Sequence, residues 1–357
     1  MMRGGGVGGG ARRPRRRTAP FPLERALVLA FVACVVGGYV FLYINIQRAM
    51  NQEARHKAEV GRMASSNAPE GAGAGGEGEL GWEAEGSCSA VVFFHIPKTG
   101  GTTLNGVFTS TPGWSFYRAK DRRTWNMLVG ALSEGGTAPP LAPGGVRPRR
   151  VVVELHTLGS PTFMQALPGL ERLRKEYVEG HGCRLTTFTM LREPVTAAVS
   201  SYQYACKPLY LHDHRSCPGM LPGLSKWSFF KGLRHDLQAS FLLGGWGGEW
   251  NAAPPPPAGE VAALREAMRR HLDVVGLMED FDTSLARLRQ AAGMARVPYR
   301  ARNVGGNKKK QERGGWRAWL YSGAFEAEDL SEGERSEVLR SQSQDDAIYQ
   351  DYVATLG

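Results

Sequence analysis

Short apolar runs alternate with amphipathic stretches along most of the chain after residue 90. Four runs are rich in β-branched or aromatic residues and lack polar alternation, which is typical of strands buried on both faces: 91–94, 151–155, 185–191 and 274–278. Apolar residues recur at helical spacing in 102–108, 262–272, 284–292 and the last segment, where Ile348, Tyr352 and Leu356 share one face. This alternation predicts an α/β domain with a parallel sheet flanked by helices.

A different pattern precedes this domain. Residues 26–46 are uncharged and predominantly apolar, and about 20 such residues are enough to cross a bilayer as a helix. The run is longer than a typical signal-peptide core, and no convincing small-residue cleavage site follows at once. The alternative, a buried core helix of a soluble protein, is disfavoured because the run has no polar face. We therefore expect one transmembrane helix that acts as a signal anchor.

The flanks of this segment predict its orientation. Residues 1–25 hold seven arginines against Glu24, whereas the flank after the segment is nearly balanced, so we expect a cytoplasmic N-terminus and a single-pass type II protein. Residues 47–87 become rich in glycine, alanine and glutamate and have too little apolar surface to fold, which is typical of a stem. The predicted parts are an Arg-rich cytoplasmic tail (1–25), the anchor (26–46), the stem (47–87) and a lumenal domain (88–357).

The net charge of +10 is unevenly placed, and residues 91–357 retain +7 of it. An excess of positive charge suits an acidic cofactor or a polyanionic partner. On charge alone, a basic surface that only keeps the protein soluble explains the excess equally well.

Four cysteines follow the anchor, and they allow three pairings in an oxidising compartment. Cys206 and Cys217 bracket a short loop-like stretch. Cys88 and Cys183 each precede an apolar run, so they could be neighbours if those runs are adjacent parallel strands. The sequence does not choose among the pairings, and four unpaired thiols are the alternative.

The first strand leads into a candidate anion-binding loop. After the apolar run 91–94 the chain reads Lys98-Thr99-Gly100-Gly101-Thr102-Thr103 and continues as a helical pattern. Backbone N–H groups at a helix start bind phosphate, glycines let the backbone approach it, and lysine and threonine add a charge and donors. In a nucleotide-triphosphate loop the lysine follows the glycines, and no strand here ends in a clear Walker-B carboxylate, which argues against a kinase or ATPase. The alternative is an ordinary strand–turn–helix connection.

Two further strand ends carry candidate chemistry. The run 185–191 is followed by Arg192 and then by a helix-like stretch with Ser200, and together these could grip one phosphate, although a salt-bridged surface arginine is the alternative. The run 151–155 delivers His156, whose imidazole can take a proton from a hydroxyl near neutral pH. A structural strand-end histidine is the alternative. By strand alternation Glu154 faces the same side and could assist or replace His156, whereas His95 within the loop is expected to fix the turn.

The segment FFHIPKTGGTTL resembles the 5′-phosphosulfate loop of membrane-anchored carbohydrate sulfotransferases, and is most similar to heparan sulfate 6-O- and 2-O-sulfotransferases. The resemblance implies a P-loop-like sulfotransferase fold. It also implies that Lys98 contacts the 5′-phosphate and the bridging oxygen of 3′-phosphoadenosine 5′-phosphosulfate (PAPS), with residues 99–103 around the same group.

Other segments extend the resemblance over most of 91–356. LREPVTAAVSSY matches the family pattern LR-[DE]-P-x5-S-x-[YW], which implies that Arg192 and Ser200 bind the 3′-phosphate of PAPS. The family's strand-end histidine implies that His156 is the catalytic base. A G-x-x-E-x-F turn follows at 276–281, and the Lys-rich segment 302–310 lies where the family has a mobile loop that could close over PAPS or hold an acidic polymer. A solvated charge run is the alternative for that segment.

The expected function is transfer of a sulfuryl group from PAPS to a glycan hydroxyl in the Golgi lumen, with PAPS as co-substrate and without a metal. His212 and His214 lie near two cysteines, but their spacing matches no usual zinc template. Expected partners are PAPS, an acidic or neutral glycan and the membrane, but no nucleic acid. A protein-tyrosine sulfotransferase and a non-catalytic glycan-binding protein with the same fold are the alternatives. The sequence predicts neither the acceptor hydroxyl nor the oligomeric state.

Overall fold

The computed structural model describes residues 88–140, 145–156, 159–205, 225–244, 254–299 and 325–356. All of them belong to one of the two units into which the chain divides, Leu80–Gly357. The predicted tail, anchor and stem lie outside the described residues. Among the residues described, no helix combines the length and the apolar character that crossing a bilayer requires.

Five strands form one parallel sheet in the order β2-β3-β1-β4-β5. Their bounds are Ser89–Phe94 (β1), Ser115–Arg118 (β2), Arg150–Leu155 (β3), Arg184–Leu191 (β4) and Val274–Leu277 (β5). The strand β1 is central, since Phe94 pairs with Leu155 of β3 and with Thr189 of β4. All strands run in one direction, so their last residues meet at one border of the sheet, which we call the carboxyl edge.

Helices flank the sheet, and this confirms the predicted α/β class. They span Gly101–Ser110 (α1), Arg122–Gly135 (α2), Phe163–Arg172 (α3), Pro194–Ala205 (α4), Lys226–Lys231 (α5), Leu237–Leu243 (α6), Ala258–His271 (α7), Phe281–Ala292 (α8), Glu332–Ser341 (α9) and Ser343–Leu356 (α10). A π-helical segment, Leu173–Gly180, continues α3, and a short 3₁₀ turn, Ala327–Asp329, precedes α9. The four helices and four strands predicted from periodicity are present, with ends that differ by a few residues.

Strand alternation divides the core into two layers. Val92 and Phe94 of β1 point into a cluster with residues from α2, α3, α6 and α7. Val91 and Phe93 point to the other face, into a cluster with residues from α1 and α8. Successive side chains of a strand point to opposite faces, so a run that is apolar at every position needs helices on both sides. The continuous apolar runs in the sequence have this cause.

The start of β1 is linked covalently to the start of β4. Cys88 and Cys183 form a disulfide, and the residues that follow them, Ser89 and Arg184, are paired across the two strands. This is one of the pairings that the sequence left open. Cys206 and Cys217 lie outside the described residues. The disulfide therefore links β1 and β4 at the border of the sheet opposite the carboxyl edge.

Two buried carboxylates cap two helix starts reciprocally. The carboxylate of Asp345 in α10 accepts hydrogen bonds from the backbone N–H groups of Gln238 (2.8 Å) and Ala239 (2.7 Å) at the start of α6. The carboxylate of Asp236 accepts from the N–H groups of Gln344 (2.8 Å) and Asp345 (3.3 Å) at the start of α10. Each carboxylate satisfies N–H groups that have no partner within their own helix. The two helices are therefore held start to start.

Candidate active site

The candidate anion-binding loop follows β1 at the carboxyl edge. Lys98 and Gly100 both have left-handed backbone conformations, with φ of 70° and 85°. Gly100 caps α1, and its carbonyl accepts from the N–H groups of Thr103 (2.9 Å) and Leu104 (3.1 Å). A left-handed non-glycine residue costs on the order of 1–3 kcal/mol and persists only where surrounding structure enforces it, often at functional sites. Lys98 is such a residue.

Close packing explains why two glycines stand in this loop. A Cβ on Gly101 would lie 1.7 Å from Nε2 of His95, so any side chain there would overlap the imidazole. A Cβ on Gly100 would lie 2.7 Å from Sδ of Met278, in the turn that follows β5. The glycines therefore bring the start of α1 against His95 and against the predicted G-x-x-E-x-F turn.

The three threonines of the loop differ in exposure. Thr99 is fully buried, and its hydroxyl donates to the carbonyl of Ile96 at 2.8 Å, which holds the turn closed. Thr103 is buried and Thr102 is exposed at the start of α1. Only Thr102 of the three thus presents its side chain mainly to solvent, and Thr99 supports the loop from beneath.

Arg192 reaches the same loop from the neighbouring strand. It follows β4 directly, and its Nη1 donates to the carbonyl of Lys98 at 3.0 Å. The side chain of Gln238 holds its backbone, because Oε1 accepts from the Arg192 N–H (2.9 Å) and Nε2 donates to the Arg192 carbonyl (2.8 Å). The buried Nε of Arg192 has no hydrogen-bond partner among the described residues. A desolvated guanidinium with an unused donor suits an anion.

The helix α4 brings Ser200 towards this region. Nζ of Lys98 lies 4.8 Å from the ring centroid of Tyr204 in α4, within the range of a cation–π contact. Ser200 precedes Tyr204 by one helical turn, so the two share a face of the helix, and Ser200 is half-buried. The structure thus brings together Lys98, Arg192 and the helix face that carries Ser200.

His156 lies on the other side of the loop, at the end of β3. Its Nδ1 is 3.1 Å from the carbonyl oxygen of His95, and the two imidazole rings stack with centroids 3.7 Å apart and planes at 19°. A carbonyl only accepts, so Nδ1 of neutral His156 carries the proton and Nε2 is the nitrogen that can take one. Burial, followed by the electrostatic effect of His95, lowers the pKa of His156 to about 4. His156 is therefore neutral over the physiological pH range.

A fully buried carboxylate lies beneath the two histidines. Glu154 Oε1 is 2.6 Å from Nδ1 of His95 and accepts from Nδ2 of Asn105 at 3.1 Å, and Oε2 accepts from Nε of Arg118 at 2.6 Å. Burial alone would raise the pKa of Glu154, but the hydrogen bonds and charges of His95 and Arg118 outweigh it and bring the pKa to about 2. With both oxygens occupied and no exposed surface, Glu154 is not placed to act as the base instead of His156.

A small cavity of about 20 Å³ adjoins the loop. Its lining includes the loop residues Ile96 and Pro97, Ala197 and Ser201 of α4, and Leu237 and Phe241 of α6. The ring of Phe241 is also 6.5 Å from that of His156, between centroids. The cavity therefore lies between the anion-binding loop and the aromatic neighbour of the strand-end histidine.

Sequence reasoning missed several contributors to the site. Arg118 belongs to the short edge strand β2, and Gln238 holds Arg192 across 46 positions of the chain. The role of His95 in binding Glu154 was also missed. One signal was available, because a glutamate within the apolar run 151–155 must find cationic partners when it is buried.

Some predicted site features lie outside the described residues. These are the Lys-rich segment 302–310 and the stretch with His212 and His214. In the part of the chain that is described, no group of three or more histidine, cysteine or acidic side chains is arranged to hold a metal ion.

No protein-family model matches the chain, and no curated protein sequence matches it significantly.

Proposed function

We propose that the chain is a sulfotransferase that moves a sulfuryl group from PAPS to a hydroxyl group of a glycan. One observation carries the proposal: the guanidinium of Arg192, with a buried and unused Nε, contacts the backbone of Lys98 in a loop that opens a helix, so that a second cationic group adjoins the anion-binding loop. A donor with phosphates at both its 3′ and 5′ positions needs a cationic group at each phosphate. The resemblance of both motifs to those of carbohydrate sulfotransferases supports the same donor.

The proposed reaction is an in-line displacement at sulfur. Nε2 of His156 takes the proton of the acceptor hydroxyl as the acceptor oxygen forms its bond to sulfur. The bond between sulfur and the bridging oxygen breaks, and its electron pair leaves with 3′-phosphoadenosine 5′-phosphate. Lys98 and the loop N–H groups stabilise the negative charge that grows on the departing phosphate. Arg192 and Ser200 position the donor through its 3′-phosphate.

The location of the reaction is part of the proposal. The segment 26–46 would anchor the protein in the Golgi membrane with its N-terminus in the cytoplasm, and the domain from residue 88 would lie in the lumen. The disulfide between Cys88 and Cys183 supports this placement, because disulfides persist in the oxidising secretory pathway and are rare in the cytosol.

The test is transfer of radiolabelled sulfate from PAPS by the full-length protein in detergent, with glycosaminoglycans, neutral polysaccharides and tyrosine-containing peptides as acceptors. We expect label on a glycan. Lys98→Ala should reduce the rate about 10²–10³-fold and His156→Ala about 10²–10⁴-fold, as loss of charge stabilisation or of a general base does. Lys175→Ala and His181→Gln, which change residues near the opposite border of the sheet, serve as matched controls.

Each alternative predicts a different result in this assay. Label on peptides alone would identify a protein-tyrosine sulfotransferase. Binding of PAPS without transfer to any acceptor would favour a non-catalytic glycan-binding protein. Full activity of His156→Ala would contradict the assignment of the base, and absence of PAPS binding would contradict the proposed function as a whole.

A further inference from the structure

The stack of His95 on His156 constrains where a proton can reside. Two imidazoles with centroids 3.7 Å apart repel each other strongly if both are charged. The pair therefore holds one proton more readily than two, and its titration belongs to the pair. Which ring carries the added proton decides whether His156 can act as a base.

The surroundings of the two rings differ in a way that favours one of them. Nδ1 of His95 faces the buried carboxylate of Glu154 at 2.6 Å, so a protonated His95 forms a charge-assisted hydrogen bond. Nδ1 of His156 faces only the neutral carbonyl of His95 at 3.1 Å. A carboxylate stabilises a positive charge more than a carbonyl does. The added proton therefore belongs on His95.

We propose that His95 and Glu154 form a positioning pair that confines the added proton of the stack to His95 and leaves Nε2 of His156 able to accept a proton. The proposal deepens the proposed function, since it explains how the assigned base is kept neutral. His95 acts through His156 and is thus a positioning residue, and its backbone carbonyl also sets the tautomer of His156.

The charges around the stack maintain this arrangement. Arg118 of β2 and Asn105 of α1 occupy the remaining positions on Glu154, and these contacts keep the carboxylate charged and fixed. From α6, the neighbour of His156 is the uncharged ring of Phe241. Among the described residues, His95, Glu154 and Arg118 are the ionisable groups that act on His156, and the pKa of His156 is lowered by burial first and by the electrostatic effect of His95 second.

The first experiment uses the unmodified protein. Full-length protein with ring-¹⁵N-labelled histidine is studied by NMR at pH 6, and the signals of the two rings are assigned from their loss in His95→Gln and His156→Gln. We expect His95 to be protonated on both nitrogens and His156 to be protonated on Nδ1 alone. A neutral His95, or a doubly protonated His156, would overturn the proposal. This readout needs no PAPS and no turnover, so it stands apart from the proposed function.

The second experiment measures how variants move the titration of His156. In His95→Gln the repelling charge is gone while Glu154 remains, so the midpoint of His156 should rise by about one pH unit or more. The acidic limb of the pH–rate profile should move to higher pH by the same amount. A midpoint and a limb that stay in place, with a rate that falls equally at every pH, would show a purely structural role and reject the proposal.

A further variant keeps the test decisive if His95→Gln does not fold. Glu154→Gln weakens the hold on the His95 proton while retaining a side chain of the same length. In Glu154→Gln, His95 should lose its second proton at pH 6. The matched control His181→Gln removes a histidine at the opposite border of the sheet, and it should leave the signals of both rings unchanged.

Discussion

Two carboxylates are buried in different regions of the molecule, and their pKa values are shifted in opposite directions. Glu154 lies at the carboxyl edge among His95, Arg118 and Asn105. Asp345 lies near the start of α10, where it accepts from two backbone N–H groups of α6 and has the carboxylate of Asp236 nearby. The pKa of Glu154 is lowered to about 2, whereas burial and the charge of Asp236 raise the pKa of Asp345 to about 7.

The difference shows that partners decide the charge state of a buried acid. Burial penalises both carboxylates, but cationic partners reverse the penalty at Glu154 and an anionic neighbour adds to it at Asp345. Glu154 therefore stays charged beneath the candidate base. Asp345, which caps the helix α6 that holds Arg192, changes its charge near neutral pH. Four predictions test this comparison, in order of decreasing effect.

The largest effect is expected from Glu154→Leu. Removal of one partner of a buried charged network leaves His95 and Arg118 without their acceptor, which costs about 3–5 kcal/mol of the free energy of unfolding. Urea unfolding followed by tryptophan fluorescence measures this loss. Glu154→Gln retains the shape of the side chain and should cost less, and a loss below about 1 kcal/mol in Glu154→Leu would contradict the network's role in stability.

A smaller loss is expected from Asp345→Ala. The N–H groups of Gln238 and Ala239 would lose their acceptors, which costs about 2 kcal/mol for a buried helix cap. The same urea titration measures it. Asp346→Ala, at the next position of α10, is the matched control because that carboxylate accepts only from the side chain of Gln350 among the described residues. Equal losses in the two variants would be inconsistent with the cap.

The pH dependence of stability separates the two acids by sign. A raised pKa means that Asp345 stabilises the fold fully below about pH 4, and that this stability is lost as pH rises through about 7. Glu154, with its lowered pKa, stabilises the fold above about pH 4.5 and loses this contribution as pH falls towards 2. Between pH 5 and 7 only Asp345 of the two titrates, with a slope of up to about 1.4 kcal/mol per pH unit.

Urea midpoints at pH 5, 6 and 7 for the unmodified protein and for Asp345→Asn measure this slope. The free energy of unfolding should fall more steeply with rising pH in the unmodified protein than in the variant. Identical slopes would show that Asp345 stays ionised throughout this range.

The smallest effect is expected at a partly exposed pair. Asp351 accepts two hydrogen bonds from Arg265, but both side chains are about one-third exposed. Solvent screens such a pair, so Asp351→Asn should change the free energy of unfolding by less than about 1 kcal/mol. Urea unfolding at low and high salt measures it. If Asp351→Asn lowered the free energy of unfolding as much as Glu154→Leu does, burial would not explain the difference between these acids.

The sheet could largely be predicted from the sequence because its strands are buried on both faces. Four of the five strands are short runs of mainly apolar and β-branched residues, and their length and β-branched content separate them from the helices. The exception is β2, Ser115–Arg118, a four-residue edge strand whose side chains are half-buried or exposed. Its sequence pattern does not differ from that of a loop. Because the strand was not predicted, the hydrogen bond from its Arg118 to Glu154 was missed as well.

The candidate site could be predicted where one segment carries the whole arrangement. The loop after β1 is contiguous, so its lysine, glycines and threonines were visible together. Contacts between distant segments were not visible. Gln238 binds the backbone of Arg192, and His95 binds Glu154 across 59 positions of the chain. Such pairs depend on the order of the strands, which local periodicity does not specify.

The contact between Gly101 and His95 has an evolutionary consequence. The space beside Nε2 of His95 has no room for a Cβ, so the two positions cannot vary independently. A homologue that retains histidine at position 95 must retain glycine at position 101, whereas one with a smaller residue at 95 can accept alanine there. In an alignment of descendants of this sequence, the two columns should therefore change together, and the second glycine of the loop should be lost only in lineages that have already lost the histidine.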